Sequence, residues 1–464
     1  MINWHNIYND FIIQLKNIEN MYLNSETKLE IEQVLSKDVK QKRSIGDALY
    51  YEVSPIIYRI LLESREHDSK EKSGEITKLY EMTDKLMEAS QYSKFIYENF
   101  EIKNDEVIIK NDNEAAIKFF TNCFAESNVL GEILHKEKLK NINVLVNLCI
   151  IFENMCSKLL KTYYLNGNDV NLIENKSLSF KELKKFDDIE ESRVFLVDSE
   201  LDRMFRESFV KWYNEIKKVT NIESKIKKID DEKIESINEL YQRRNLLVHA
   251  DGIVNSHYIK NVDFRYVKEI KKGIDINHYN NKEYLLEKMK TIEEVGTYIF
   301  CAFLMSIEKD KSDIFNIINK ELLKNIKRNN NAIPEIYKNI RNDKKYDEFD
   351  KMLAEINYYL FFKVNNKYSE VEEELEKYNV RGKGDEFKIA KKILQNSDDC
   401  VETTIKYLEK LDTNEFFGTI SWPLMKVLEN KREYNIYCNK RINKEIGIEE
   451  NTVLITSALD NTSI

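Results

Sequence analysis

Helix breakers are almost absent from this chain: eleven glycines and three prolines interrupt 464 residues. Between them run long stretches rich in Lys, Glu, Ile and Leu. The straight-chain residues among these enter a helix at little entropic cost. Such scarcity excludes a β-sandwich, a Gly/Ser linker array and a collagen-like fibre, all of which need frequent Gly or Pro. Hydrophobic residues make up 42% of the chain, too many for wholesale disorder. The expected fold is all-α, and the length predicts two or three domains rather than one.

Charge and cysteine usage narrow the class. With 72 basic and 81 acidic residues the net charge is -9. A surface coated for indiscriminate nucleic-acid binding is thereby excluded, while a local basic cleft is not. The six cysteines form no Cys-x-x-Cys pair, and Cys149 and Cys301 sit inside apolar helical runs. Reduced, packed thiols are expected there. No basic segment leads into an apolar one at Met1, and the apolar runs fall short of the roughly 20 residues a spanning helix needs. A cytoplasmic protein with no membrane partner is expected.

The chain divides into three stretches by pattern. Residues 1–140 read as helices with polar breaks: Phe11–Leu23, Ala48–Arg65 and Ile117–His135 carry apolar residues at three- and four-residue spacing. Phe100–Asp112 alternates instead and predicts a small hairpin. No function attaches to this first stretch. Residues 141–310 predict four long amphipathic helices: Asn141–Tyr164, ended by Asn166-Gly167, then Glu200–Val219, Asp231–His249 and Lys282–Ile307. Such a set describes a four-helix bundle. Residues 311–464 predict shorter hairpins over Glu348–Val364, Ser369–Tyr378, Asp385–Gln395, Asp398–Leu411 and Trp422–Asn430, stacked like tetratricopeptide repeats.

The third bundle helix carries the chemistry. Ile234, Ile237, Leu240 and Tyr241 form its apolar stripe, and it ends on Arg243, Arg244, Asn245, three apolar residues, His249 and the stop Asp251-Gly252. Gly252 supplies a left-handed cap. Asn245 and His249 are four apart and share a face, and Arg244 lies about 100° round from Asn245. Imidazole is the side chain that both gives and takes a proton near neutral pH. Arg244 offers a planar cationic fork for a phosphate, and Asn245 can orient His249 or hold a phosphate oxygen. Cleavage of RNA by its own 2'-hydroxyl needs only a base, an acid and cations. A two-fold dimer would set two such histidines against one cleft. The bland reading stands beside this one: a His at a helix end is often a cap or interface residue, and Arg243 is often solvated.

The segment Arg244-Asn245-Leu-Leu-Val-His249 resembles the R-N-x-x-x-H signature of HEPN domains, and Ala250–Asn255 resembles the segment next to that signature in many bacterial members. The likeness covers about Asn141–Glu308, with the motif near the end of the third helix of a bundle. It implies a metal-independent endoribonuclease of the toxin or abortive-infection (anti-phage) kind, dimeric, with no cofactor and no metal. Arg244, Asn245 and His249 would be its catalytic set. Some members also use an acid on the first helix, which makes Glu153 a supporting candidate here, with Arg243 another. A non-catalytic HEPN-like adaptor, or a nucleotide-binding or interaction module, is the alternative. A protein partner or trigger would act through the N- or C-terminal helical regions.

The surroundings are modestly basic. From Lys211 to Gly273, Lys and Arg outnumber Asp and Glu by four in a chain that is acidic overall. Lys260, Arg265 and Lys268 are candidate RNA contacts, interleaved with Tyr258, Phe264 and Tyr266. A solvated amphipathic segment with its aromatics in the core explains the same pattern. His257 and His278 read as surface residues. Other chemistries lack support: Glu101-Ile-Lys103 has no evident strand-borne acid beside it, Arg381–Gly384 lacks phosphate-loop spacing, and neither zinc spacing nor a Gly-x-Ser-x-Gly elbow occurs.

Overall fold

A computed structural model describes residues 4–23, 56, 93–103, 106–110, 129–166, 172–226, 229–268, 270–307 and 311–446. The described chain is mostly helical. The alternating run forms an antiparallel pair, Phe100–Lys103 with Glu106–Ile109, in which Phe100 faces Ile109 and Lys103 faces Glu106. Most of Ala48–Arg65 and the first part of Ile117–His135 lie outside the described residues.

Two compact units arise, each from separated stretches: Phe11–Asn154 with Asp231–Ile292, and Met1–Asp10 with Met155–Asp230 and Glu293–Ile464. In the first, the Val129–Leu165 helix buries Leu145, Leu148, Cys149 and Phe152, the spacing of one helical face. This helix begins twelve residues before the expected Asn141, because Lys136–Lys140 contains good helix formers and no stop. A 28-residue part of it, Lys138–Leu165, is long and apolar enough to cross a membrane. Half of its apolar window is buried inside the fold, as in a core helix.

The Asp231–His249 helix has the bounds its pattern predicts. Asp231 and Glu232 lie in its first turn, where the helix dipole favours anions. Its stop takes two left-handed residues rather than one: Asp251 at φ 49° and Gly252 at φ 79°. Leu246 O accepts from the amides of Ala250 and Gly252 at 2.9 and 3.0 Å, which closes the last turn. The chain then runs under the helix. Val254, Tyr258, Val262, Ile270 and Ile276 make a small core with Leu246. Backbone bonds tie Val254 to Ile274 and Ile276 to Gly252.

In the second unit, the stretch expected as one helix over Glu200–Val219 is two, Ile189–Phe205 and Phe209–Thr220. Ser208 takes an extended backbone, and the break lets Phe205 and Phe209 pack on Trp212 at ring separations of 5.1 and 4.9 Å. Tyr8 stacks on Phe300 at 4.5 Å and meets Thr297 Oγ1 at 2.9 Å. Glu293 takes a forked pair from Arg328 at 2.7 and 2.5 Å. Further on, Glu348–Val364 and Asp385–Gln395 match their expected bounds. Ser369–Tyr378 is a 3-10 turn (Tyr368–Glu370) leading into the Glu372–Lys377 helix. Asp398–Leu411 shortens to Cys400–Leu408, and Trp422–Asn430 is a 3-10 helix over Pro423–Leu428.

Gly252 is a point where backbone conformation and close approach coincide. A Cβ there would lie 2.8 Å from Asp275 Oδ1 and 2.9 Å from Asn277 Nδ2, whereas at Gly273, φ 90°, it would meet nothing within 4 Å. Gly252→Ala should therefore cost about 2–3 kcal/mol in urea unfolding and Gly273→Ala about 1 kcal/mol. Equal losses would show that the close approach carries no weight.

Candidate active site at the end of the motif helix

The two neighbouring arginines have opposite surroundings. Residues 236–243 of the Asp231–His249 helix are buried without exception, including Ser236, Asn238, Glu239, Gln242 and Arg243. From Arg244 onward the helix emerges: Arg244 is half-buried, and Asn245, Val248 and His249 are exposed. The exposed face thus carries two of the three motif residues.

Arg244 Nη1 donates to Asn245 Oδ1 at 3.2 Å. Arg244 Nε is buried and has no hydrogen-bond partner among the described residues. Its guanidinium also acts on Glu153 of the Val129–Leu165 helix. Burial pushes the Glu153 carboxyl up, against the opposing pull of Arg244 and of the Tyr241 hydroxyl dipole. Tyr241 OH donates to Cys149 O at 3.2 Å. The structure therefore brings Glu153, Tyr241, Arg244 and Asn245 together, while His249 stands exposed one turn beyond Asn245. Burial drives the Cys149 thiol well up and keeps it protonated at neutral pH.

Arg243, expected as a supporting or solvated residue, is neither exposed nor free. Its Nε and Nη2 donate to Glu239 Oε1 at 2.7 and 2.6 Å. Nη1 donates to Tyr279 O at 3.0 Å and Asn280 Oδ1 at 2.9 Å, and the guanidinium lies 3.9 Å from the centroid of the Tyr284 ring. Glu239, at 0% exposure, also accepts from Tyr258 OH at 2.8 Å, Tyr284 OH at 2.7 Å and Lys288 Nζ at 3.0 Å. Lys288 Nζ donates further to Ser236 O and Oγ at 3.0 and 2.7 Å. Each of its three protons thus has an acceptor. Sequence reasoning missed Glu239, Tyr284 and Lys288. The only local signal was a pair of four-residue spacings, Glu239 to Arg243 and Tyr284 to Lys288.

The basic candidates differ among themselves. Arg265 is committed to Asp263, at 3.0 and 3.2 Å, and to Glu232 at 3.2 Å. Lys260 and Lys268 are exposed and make no ion pair among the described residues. Tyr258 is buried in the Glu239 network and Tyr266 OH donates to Glu232 O, which leaves Phe264 as the exposed aromatic at 71%. His257 is exposed, and the side chain of His278 lies outside the described residues.

Elsewhere, Glu101-Ile-Lys103 does lie on a strand, and Glu106 on the facing strand is in register with Lys103, an acid that sequence pattern alone does not reveal. Arg381–Gly384 is a turn between two helices. Cys149, Cys156, Cys301, Cys400 and Cys438 are free and buried, and Cys123 lies outside the described residues. Among the described residues no three His, Cys, Asp or Glu side chains are grouped to hold a metal ion. Comparison of the chain with family models, curated proteins and solved structures finds no match.

Burial pushes Glu239 up, but Arg243 and Lys288, with the two tyrosine hydroxyls, more than reverse this and hold its carboxyl down at about 2. Stability from a carboxyl so depressed is complete above its ordinary 4.5 and is lost as pH falls from there towards about 2. Glu239→Gln should lose about 3–5 kcal/mol at pH 7, because two buried cations are left unpaired. Its unfolding free energy should also change less with pH between 4.5 and 2 than that of the wild type. Parallel acid transitions in urea titrations of the two proteins would refute the assignment.

Proposed function

We propose that this protein is a HEPN-type endoribonuclease acting in the cytoplasm as a toxin or anti-phage abortive-infection effector. The observation that carries the reading is the display of Arg244, Asn245 and His249. They stand where the motif helix leaves its buried surroundings, with Arg244 Nε unpartnered among the described residues and Asn245 and His249 open to a substrate. In this reading the helix belongs to a four-helix HEPN-like bundle, with tetratricopeptide-like hairpins beyond residue 311. The Ala332–Asn342 and Glu348–Val364 helices, joined by Arg341 to Glu355 at 2.9 Å, support the hairpin part.

Two copies pair so that their motifs face one strand of RNA. One His249 takes the proton from a 2'-hydroxyl, whose oxygen attacks the adjacent phosphorus. The bond from phosphorus to the 5'-oxygen breaks, and the partner subunit's His249 returns a proton to that oxygen. Arg244 neutralises the charge gathering on the phosphate oxygens, and Asn245 holds Arg244 in place through their hydrogen bond. The products are a 2',3'-cyclic phosphate and a free 5'-hydroxyl.

Purified protein should cut total cellular RNA in EDTA and leave 2',3'-cyclic ends, and His249→Ala and Arg244→Ala should each lower the rate at least about 100-fold. Undiminished cutting by folded His249→Ala would sink the proposal. An adaptor, the competing reading, would cut no RNA as wild type yet lose partner binding when residues 311–464 are removed. Lys260 and Lys268 should contribute through phosphate contacts alone. Replacing either by Ala should reduce the slope of log affinity against log salt for single-stranded RNA by about 0.7–1, without changing sequence preference. An unaltered slope would remove them from the interface.

A further inference from the structure

The charged network under the motif helix does not end at Arg243. Arg243 Nη1 donates to Asn280 Oδ1 at 2.9 Å, and Asn280 Nδ2 donates to Asn277 Oδ1 at 3.2 Å. Asn277 Nδ2 in turn donates to Asp275 Oδ1 at 2.7 Å, and Asp275 Oδ2 accepts from Lys138 Nζ at 2.7 Å. Asp275 Oδ1 and Asn277 Nδ2 are the two atoms that press closest on Gly252, and Gly252 O accepts from the amide of Ile276 at 2.8 Å. A chain of side-chain hydrogen bonds therefore runs from Glu239, before the motif, to Asp275 and Lys138, and the backbone bond from Ile276, the residue after Asp275, ties it to the cap that ends the motif. Arg244, Asn245 and His249 lie on the stretch of helix between the two anchor points.

We infer that Arg243, Asn277, Asn280 and Asp275 are positioning residues: they form a polar strut that sets where His249 stands relative to Arg244. None of the four is offered as touching substrate, and the catalytic consequence rests on the ribonuclease reading above. The geometry favours a strut over plain packing. The apolar cluster there, Leu246, Val254, Tyr258, Val262, Ile270 and Ile276 with Leu247 and Ala250 packed against it, makes non-directional contacts, whereas each hydrogen bond of the relay is directional. Both amide side chains use their oxygen as acceptor on one side and their nitrogen as donor on the other, which allows only one orientation of each.

Asn277→Ala cuts the relay at its centre and leaves the Glu239, Arg243 and Lys288 ion pairs intact. Arg243→Lys keeps the charge and loses the fork that reaches Asn280. Both should lower kcat for RNA cleavage ten- to a hundredfold with KM within about twofold, since a shift of about 1 Å in a catalytic group costs on that scale. Asn277→Ala should leave the melting temperature within a few degrees of wild type, so its kcat decides the matter if Arg243→Lys folds poorly. Amide hydrogen exchange gives a readout that needs no activity. Protection over residues 244–252 should fall about tenfold or more in Asn277→Ala while residues 232–238 keep theirs. Unchanged kcat in the folded Asn277→Ala protein, or unchanged protection over 244–252, would overturn the strut. Should the wild type cut no RNA, the ribonuclease reading falls, and exchange alone decides the strut.

Discussion

One carboxylate organises the unit that carries the motif. Glu239 accepts five hydrogen bonds from four side chains while wholly removed from water. An isolated charge in that position would be untenable, and two cations around it are themselves expensive to bury. What makes the cluster tolerable is complete satisfaction: both oxygens of Glu239, the fork of Arg243 and the three protons of Lys288 all have partners. A trio of well-packed apolar side chains would be at least as stable. What the ions add is direction. A planar fork and a three-pronged ammonium accept one arrangement of the helix, of Tyr258, of the turn at Tyr279–Asn280 and of the Lys282–Ile307 helix, where apolar groups accept many.

That constraint also separates two residues that look alike on paper. Arg243 and Arg244 are adjacent, both basic and both near a helix end. Their side chains point about 100° apart. One therefore enters the cluster and becomes structure. The other reaches the exposed side, where among the described residues one buried nitrogen has no hydrogen-bond partner and Nη1 donates to Asn245.

The parts of the fold that were legible in sequence are those whose information is local. Asp231–His249, Glu348–Val364 and Asp385–Gln395 have the bounds that their apolar spacing and flanking polar or glycine residues predict. The break at Arg206–Ser208 was not legible, since it contains neither Gly nor Pro and is made by aromatic rings meeting across it. Trp422–Asn430 reads as an α-helix in sequence because the tighter 3-10 turn shares its apolar spacing. Arg244, Asn245 and His249 stand out in sequence as candidates because they lie within six residues of one another. The network beneath them does not. Hydropathy marks Ile237, Leu240 and Tyr241 as the inner face, yet the helix also buries Ser236, Asn238, Glu239, Gln242 and Arg243. A Glu and an Arg four apart on a helix ordinarily mean a solvated pair. Only the tyrosines and Lys288, arriving from fifteen to fifty residues away in the chain, turn that pair into a buried anchor.

A helix end that exposes polar groups cannot also be held by burial on every side. From Arg244 to His249 the helix gives up packing on its outer face, keeping Leu246 as its one fully buried residue. Rigidity there has to come from the inner side and from the two ends. The inner side offers Leu246 and a small apolar cluster, which resist expansion but hardly resist rotation or sliding. Hydrogen bonds resist both, because their strength falls steeply with angle. The same low dielectric that makes the Glu239 cluster costly to assemble makes its bonds stiff once they are formed. Charge beneath the motif and apolar surface under its exit thus divide the support of Arg244, Asn245 and His249 between directional and non-directional contacts.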